Sequence, residues 1–178
     1  MLQEISASLH FVDILQTIAR QLGNAFGLDR CAIFLTGEKD EVRLVASYED
    51  PSIRNLVVDI NRYPELKRAF DSGQTVFIPD AMLDPSLKAV RAQLEQRNVQ
   101  SIVVVPLQWQ ESIIGAIFLR TDRSGKPFSE ADVRFFPEDG LTQTQVMRSG
   151  GWLALELPQI LDGRLSTAAV HAEHIETE

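Results

Sequence analysis

Side chains able to do chemistry are few in this chain. It has three histidines, His10, His171 and His174, and one cysteine, Cys31. His171 and His174 stand at helical i, i+3 spacing with Glu173 and Glu176 beside them. That is the bare start of a metal site, but two ligands rarely suffice and a solvated terminal segment is the plainer reading. Cys31 lies in an apolar run with no histidine near it in sequence, so it reads as a small buried hydrophobe rather than a nucleophile. A single cysteine also rules out an intrachain disulfide and a cysteine-built zinc site. Glu38, Lys39, Asp40 and Glu41 form a charged tip between two apolar runs, with no evident chemistry. A glycine-rich phosphate loop, an HExxH pair and a nucleophile elbow are all missing from the sequence. The residues point away from an enzyme.

Bulk properties narrow the class further. A chain of 178 residues reads as one domain with an appendage, and it is long enough to bury a core without staples. The formal net charge of −8 opposes nonspecific attraction to nucleic acid or to an anionic membrane. The segment 85–97 carries Lys88, Arg91 and Arg97, but Glu95 interrupts them, so it reads as a solvated face. No apolar run reaches membrane-spanning length, and the start lacks a signal peptide's basic and apolar regions. Cytoplasm is the expected location.

The elements that would position any site follow from periodicity. Leu2, Ile5, Leu9, Val12, Leu15, Ile18, Leu22 and Phe26 recur at steps of three or four, which predicts an amphipathic helix over 2–26 stopped by Gly27. The stripe is wide enough to cover a core. It also allows a parallel dimer with a coiled-coil-like seam through Leu2, Ile5, Leu9 and Val12. Residues 31–35 and 42–48 read as a hairpin, and 56–60 as a weaker third strand. Pro64 opens a short helix that Ser72-Gly73 ends, and 76–78 is a fourth strand. A helix is expected over 85–97. The run 101–119, SIVVVPLQWQESIIGAIFL, is the central hairpin: its β-branched residues suit a packed pleated surface. Gly115 marks a close backbone approach within it. Ser129 caps a last helix with Asp132 at its third position. Strands come in hairpins rather than alternating with helices, which predicts an α+β fold.

Several stretches together resemble the GAF domain family. They are the first helix ending in FGLDRCAIFL, then DINRYPELKRAFDSGQTVFIPD, then NVQSIVVVPLQWQESIIGAIFLR, and PFSEADVRFF opening the last helix. The resemblance implies a GAF/PAS-like fold: a central, mainly antiparallel six-stranded sheet with terminal helices on one face. A pocket-forming excursion would lie on the other. It also implies a sensory or regulatory role in bacterial signalling, two-component systems included. The sequence departs from the cyclic-nucleotide-binding members. Phe128 and Asp132 match their pattern, but Val133 follows Asp132, and Arg120-Thr121 or Asp122-Arg123 stands where an asparagine-lysine pair belongs. Cys31, in the first strand, is misplaced for covalent bilin attachment. Free-standing enzymes of this fold, such as methionine sulfoxide reductases, need several cysteines for a thiol relay.

A ligand pocket would combine apolar walls with a few converging polar groups. From the excursion the candidates are Tyr63, Leu66, Phe70, Asp80, Val90 and Leu94. From the fifth strand they are Ser101, Val103 and Val105, which share a face because alternate strand residues do. Ser101 would offer a hydroxyl and Asp80 an acceptor; their plainer roles are strand edge and turn acceptor. The sequence names no ligand or cofactor. The expected protein is a GAF-like sensory domain over 1–136 that works as a homodimer, followed by a partly ordered appendage over 137–178. The alternative is a ligand-free dimerisation module with its pocket filled by its own side chains.

Overall fold

A computed structural model describes residues 2–37, 41–53, 55–109, 112–134, 136 and 138–142; its described side chains begin at residue 13 and leave out 109, 141 and 142. Helix α1 (Leu2–Phe26) buries Leu15, Ile18, Ala19 and Leu22 on one face. That is the expected stripe, and each large side chain so buried contributes about 1.5–3 kcal/mol. Gly27 ends the helix at a φ of 62°, where a side chain would be strained. The proposed dimer seam, Leu2, Ile5, Leu9 and Val12, lies on the helical backbone of α1, but its side chains are outside those described.

The strands are β1 (Arg30–Thr36), β2 (Val42–Ser47), β3 (Leu56–Val58), β4 (Val76–Ile78), β5 (Val99–Trp109) and β6 (Ser112–Asp122). They form one antiparallel sheet in the order β3-β2-β1-β6-β5-β4. The β5–β6 hairpin is central and longer at both ends than its apolar runs suggest, because Gln108 and Trp109 pair with Ile113 and Ser112. A short strand β7 (Leu141–Thr142) adds to β5 in parallel at Leu107 and Gln108, beyond the stretch that β4 pairs. Gly115 faces Leu35 across the ladder; a Cβ there would overlap the carbonyl oxygen of Phe34. The close approach expected at that glycine is thus between β6 and β1.

The excursion between β3 and β5 departs from its expected form in two places. The third strand stops at Val58, and Ile60–Arg62 form a 3₁₀ turn started by the Asp59 carboxylate, which accepts from the Asn61 amide at 3.0 Å. The segment 85–97 is not one helix. It is a 3₁₀ turn over Pro85–Val90, capped by Asp84, followed by a short helix α3 (Arg91–Gln96). Helix α2 (Pro64–Ser72) starts at proline and ends at Gly73 in the left-handed region, as its sequence predicts. Helix α4 (Glu130–Val133) carries the expected capping box between Ser129 and Asp132.

Two apolar layers result. On one face of the sheet α1 packs over Cys31, Ile33, Val103, Val105, Leu107, Ile117 and Leu119, closed by Phe128 and Phe136. On the other, α2 and the 85–94 segment pack over Ala32, Phe34, Ile102, Val104, Ala116 and Phe118.

Candidate functional site

On the excursion face, charged and aromatic groups converge on the sheet around a small space. A cavity of about 30 Å³ is lined by Arg62, Tyr63, Glu65, Val90, Gln93, Leu94, Arg97, Phe118 and Arg120. Each position has a local cause. Tyr63 and Glu65 are set by the turn into α2, whose start is fixed by Pro64. Val90 and Leu94 come from the roof, where the 3₁₀ turn gives way to α3. Phe118 and Arg120 are two apart on β6 and so share the face toward the excursion.

Aromatic rings fill much of the space above the sheet. The centroid of Tyr63 lies 5.6 Å from that of Phe34 and 6.2 Å from that of Phe118, and Phe34 and Phe118 are 6.1 Å apart. Glu65 is the unusual member. It is only 2% exposed, and its Oε2 is buried without a hydrogen-bond partner. Burial pushes its carboxyl up to about 7, opposed by its own backbone amide and by the charge of Arg120. The charge on Arg120 is itself balanced: Nη2 donates to Asp29 Oδ2 at 2.7 Å and Nε to the same oxygen at 3.1 Å. An unpartnered buried acceptor is costly, which sets Glu65 apart from the other groups lining the cavity.

The nine residues expected to line a pocket separate into three groups. Tyr63, Val90 and Leu94 meet at the cavity. Leu66 and Phe70 belong to the same apolar layer but do not line it. The remaining four lie elsewhere. Val103 and Val105 face α1, not the excursion. Alternation shows which strand residues share a face, but packing decides which helix covers that face. Ser101 faces the α1 side with them: its Oγ accepts from the Phe128 amide at 3.0 Å and sits 2.5 Å from Thr121 Oγ1. Asp80 is a turn acceptor, taking the Met82 amide at 2.9 Å, with Arg123 at 3.6 Å. Sequence reasoning missed Arg62, Glu65, Gln93, Arg97, Phe118 and Arg120. The usable signal was the i, i+2 pair Phe118 and Arg120, a charge inside a strand otherwise buried on both faces.

A second cleft, of about 480 Å³, lies between α1 and β2 and is lined by Gln16, Thr17, Arg20, Asn24, Ser47, Tyr48 and Pro51. Several of its polar groups bind one another: Gln16 Nε2 donates to the Pro51 carbonyl at 3.2 Å, and Tyr48 Oη donates to Asn24 Oδ1 at 3.1 Å. It is a polar seam that ties the helix to the sheet. Cys31 is fully buried, and burial pushes its thiol far above the ordinary range, which disfavours a thiolate. Among the described residues no cluster of three or more His, Cys, Asp or Glu could hold a metal ion. His171 and His174 lie outside the described residues, as does the segment 143–178. No helix among the described residues is long and apolar enough to cross a membrane.

Solved structures with this fold include the GAF domain/HD domain protein from Geobacter sulfurreducens, at TM-score 0.55 and 19% identity, covering 93% of this chain and 94% of that one. The blue-light absorbing form of the PixJ GAF domain from Thermosynechococcus elongatus matches at TM-score 0.57 and 14% identity, over 97% and 90% of the two chains. The GAF domain of a two-component sensor histidine kinase from Bacillus halodurans matches at TM-score 0.53 and 18% identity, over 93% and 95%. No curated protein matches in sequence. The family model for the GAF domain matches residues 10–143. On that match and this fold, the chain belongs to the GAF domain family.

Proposed function

We propose that this chain is a regulatory, non-catalytic sensory domain of a bacterial signalling protein. It binds a small molecule between the sheet and the excursion and relays the event through its helices. The observation that carries the reading is the convergence of Glu65, Tyr63, Phe118 and Arg120 with the roof residues Val90 and Leu94 around one cavity. Apolar walls with a few placed polar groups are the usual form of a small-molecule site. The roof is made of short, irregular pieces over Pro85–Gln96, which can shift more cheaply than a long helix. A ligand that favours one roof arrangement would bias the sheet against α1. In this reading the domain is cytoplasmic and works as a homodimer through Leu2, Ile5, Leu9 and Val12, in a setting such as a two-component system. Its sensory unit spans about 1–136, and 137–178 is an appendage whose first residues return to β5 through β7.

A second reading, a ligand-free dimerisation module, is favoured by the small size of the cavity and the three rings that occupy the space beside it. Thermal denaturation against cyclic nucleotides, purines, amino acids, short organic acids and tetrapyrroles separates the two. A ligand at a hundred times its dissociation constant stabilises the fold by about 2.7 kcal/mol. A stabilising compound is expected under the sensory reading. A flat response across the panel supports the dimerisation module.

A further inference from the structure

We propose that the ligand is a small zwitterion of the free amino acid type, whose ammonium group seats against Glu65 beside Tyr63 and Phe118 and whose carboxylate meets Arg62 and Arg97. The inference rests on the sensory reading and adds the chemistry of the ligand to it.

Three features of the cavity select a cation at its inner end. The Glu65 carboxyl is buried and has an oxygen with no partner. The rings of Tyr63 and Phe118 line the same cavity, 6.2 Å apart and nearly perpendicular, so a face and an edge meet there. A buried carboxylate in an aromatic-lined cavity suits an organic ammonium, which gains an ion pair there and cation–π attraction wherever it meets a ring face. The buried cation of the lining, Arg120, acts on Glu65 through its charge but spends its hydrogen bonds from Nε and Nη2 on Asp29. No ion pair joins Arg120 to Glu65.

The rim selects an anion at the outer end. Arg62 ends the 3₁₀ turn and Arg97 follows α3; both line the cavity and both are exposed. Guanidinium groups pair bidentately with carboxylates, and these two are the exposed cations of the lining. Gln93 adds an amide to the same wall. Charge therefore runs from negative inside to positive outside, the reverse of an amino acid entering with its ammonium first. A volume of about 30 Å³ accepts a group as large as one water, which is the size of an ammonium. The rest of the ligand would need the short pieces carrying Val90 and Leu94 to move outward.

Binding would require Glu65 ionised. Its carboxyl, held up near 7 by burial, faces Arg120 from β6, Arg62 and Tyr63 from the approach to α2, and Gln93 and Arg97 from the roof. Affinity for an ammonium should then rise with pH up to about 7 and level off above it.

The test is a thermal-shift and calorimetric screen of the whole chain at pH 8 with the twenty free L-amino acids, their N-acetyl derivatives and their methyl esters. At least one amino acid is expected to bind. Its N-acetyl form, which lacks the cation, should bind at least tenfold more weakly, and the affinity of the parent amino acid should fall about tenfold between pH 8 and pH 6. Glu65→Gln should reduce affinity at least tenfold. The N-acetyl comparison needs no variant and stands even if Glu65→Gln fails to fold. The proposal is overturned if no amino acid binds, or if N-acetyl forms bind as well as their parents. If amino acids fail while another compound class stabilises the protein, the zwitterion is wrong and the sensory reading survives. If nothing in either screen binds, both fall.

Discussion

The hydroxyls of Ser101 and Thr121 lie 2.5 Å apart, fully enclosed, at the point where β5, β6 and the chain leading to α4 meet. Ser101 Oγ also accepts from the Phe128 amide, and Thr121 Oγ1 accepts from the Ser101 amide at 3.2 Å. The pair fastens the central hairpin to the segment that delivers Phe128 into the α1 layer. A serine that reads in sequence as a ligand contact is a structural latch. Ser101→Ala should therefore cost about 1–3 kcal/mol in urea unfolding, because the Phe128 amide loses its buried acceptor. Ligand affinity should be unchanged. A stable variant with weakened binding would reverse that assignment.

Glu65 should make stability fall as pH rises. Its carboxyl titrates near 7 in the folded chain and near 4.5 in the unfolded one, because burial penalises the charge. Between those values the folded state keeps a proton that the unfolded state has lost. The stabilisation is complete below about 4.5 and is lost as pH rises through about 7, by roughly 3 kcal/mol in all. Other carboxyls, such as Asp122, held low chiefly by the Ser124 hydroxyl, act in the opposite direction at more acidic pH. The difference between wild type and Glu65→Gln isolates the effect. The variant should gain relative stability through that window and be the more stable protein at pH 8.

Arg120→Ala should raise the Glu65 carboxyl further, since Arg120 is the positive charge that lowers it. Carboxyl carbon shifts followed by NMR would read this directly. The variant also strands Asp29, whose side chain is mostly buried, at a cost of about 2 kcal/mol. An unmoved Glu65 titration would place Arg120 electrically outside the site.

Gly115→Ala should destabilise by about 1–3 kcal/mol or more, because its Cβ would overlap the Phe34 carbonyl in the centre of the sheet. Chemical denaturation measures it. Little change would mean that β1 and β6 separate more easily than their ladder implies.

Cys31 should resist alkylation. It is enclosed beneath α1, and its thiol is pushed far above the ordinary range by burial and by Glu49. Iodoacetamide at pH 8 should label it only as fast as the chain unfolds. Rapid labelling of the folded protein would show a looser α1 face than the packing of Leu15, Ile18 and Leu22 indicates.

Much of this fold can be read from the sequence because the signals are local. The α1 stripe, the β5–β6 hairpin, the stop at Gly73 and the Ser129–Asp132 box each depend on a few neighbouring residues. The 3₁₀ form of 85–90 is less visible, since Leu87, Val90 and Leu94 at spacings of three and four suit a helix as well. The strand β7 is two residues long and exists only because β5 offers an open edge at Leu107. The site was the least legible part. Val103 and Val105 share a face, as alternation predicts, but that face is the one under α1, because strand parity carries no absolute direction. Glu65, in the first turn of a helix, looks like an ordinary favourable charge near a helix start; only tertiary packing encloses it.

The most direct measurement is amide NMR of the labelled chain, titrated with the ligand panel in pools. Shifts are expected to concentrate at residues 62–66, 90–97 and 118–120, with smaller changes spreading across β6 toward α1. Shifts confined to the cleft of Gln16, Asn24 and Tyr48, or no response to any pool, would contradict a sensory pocket under the excursion.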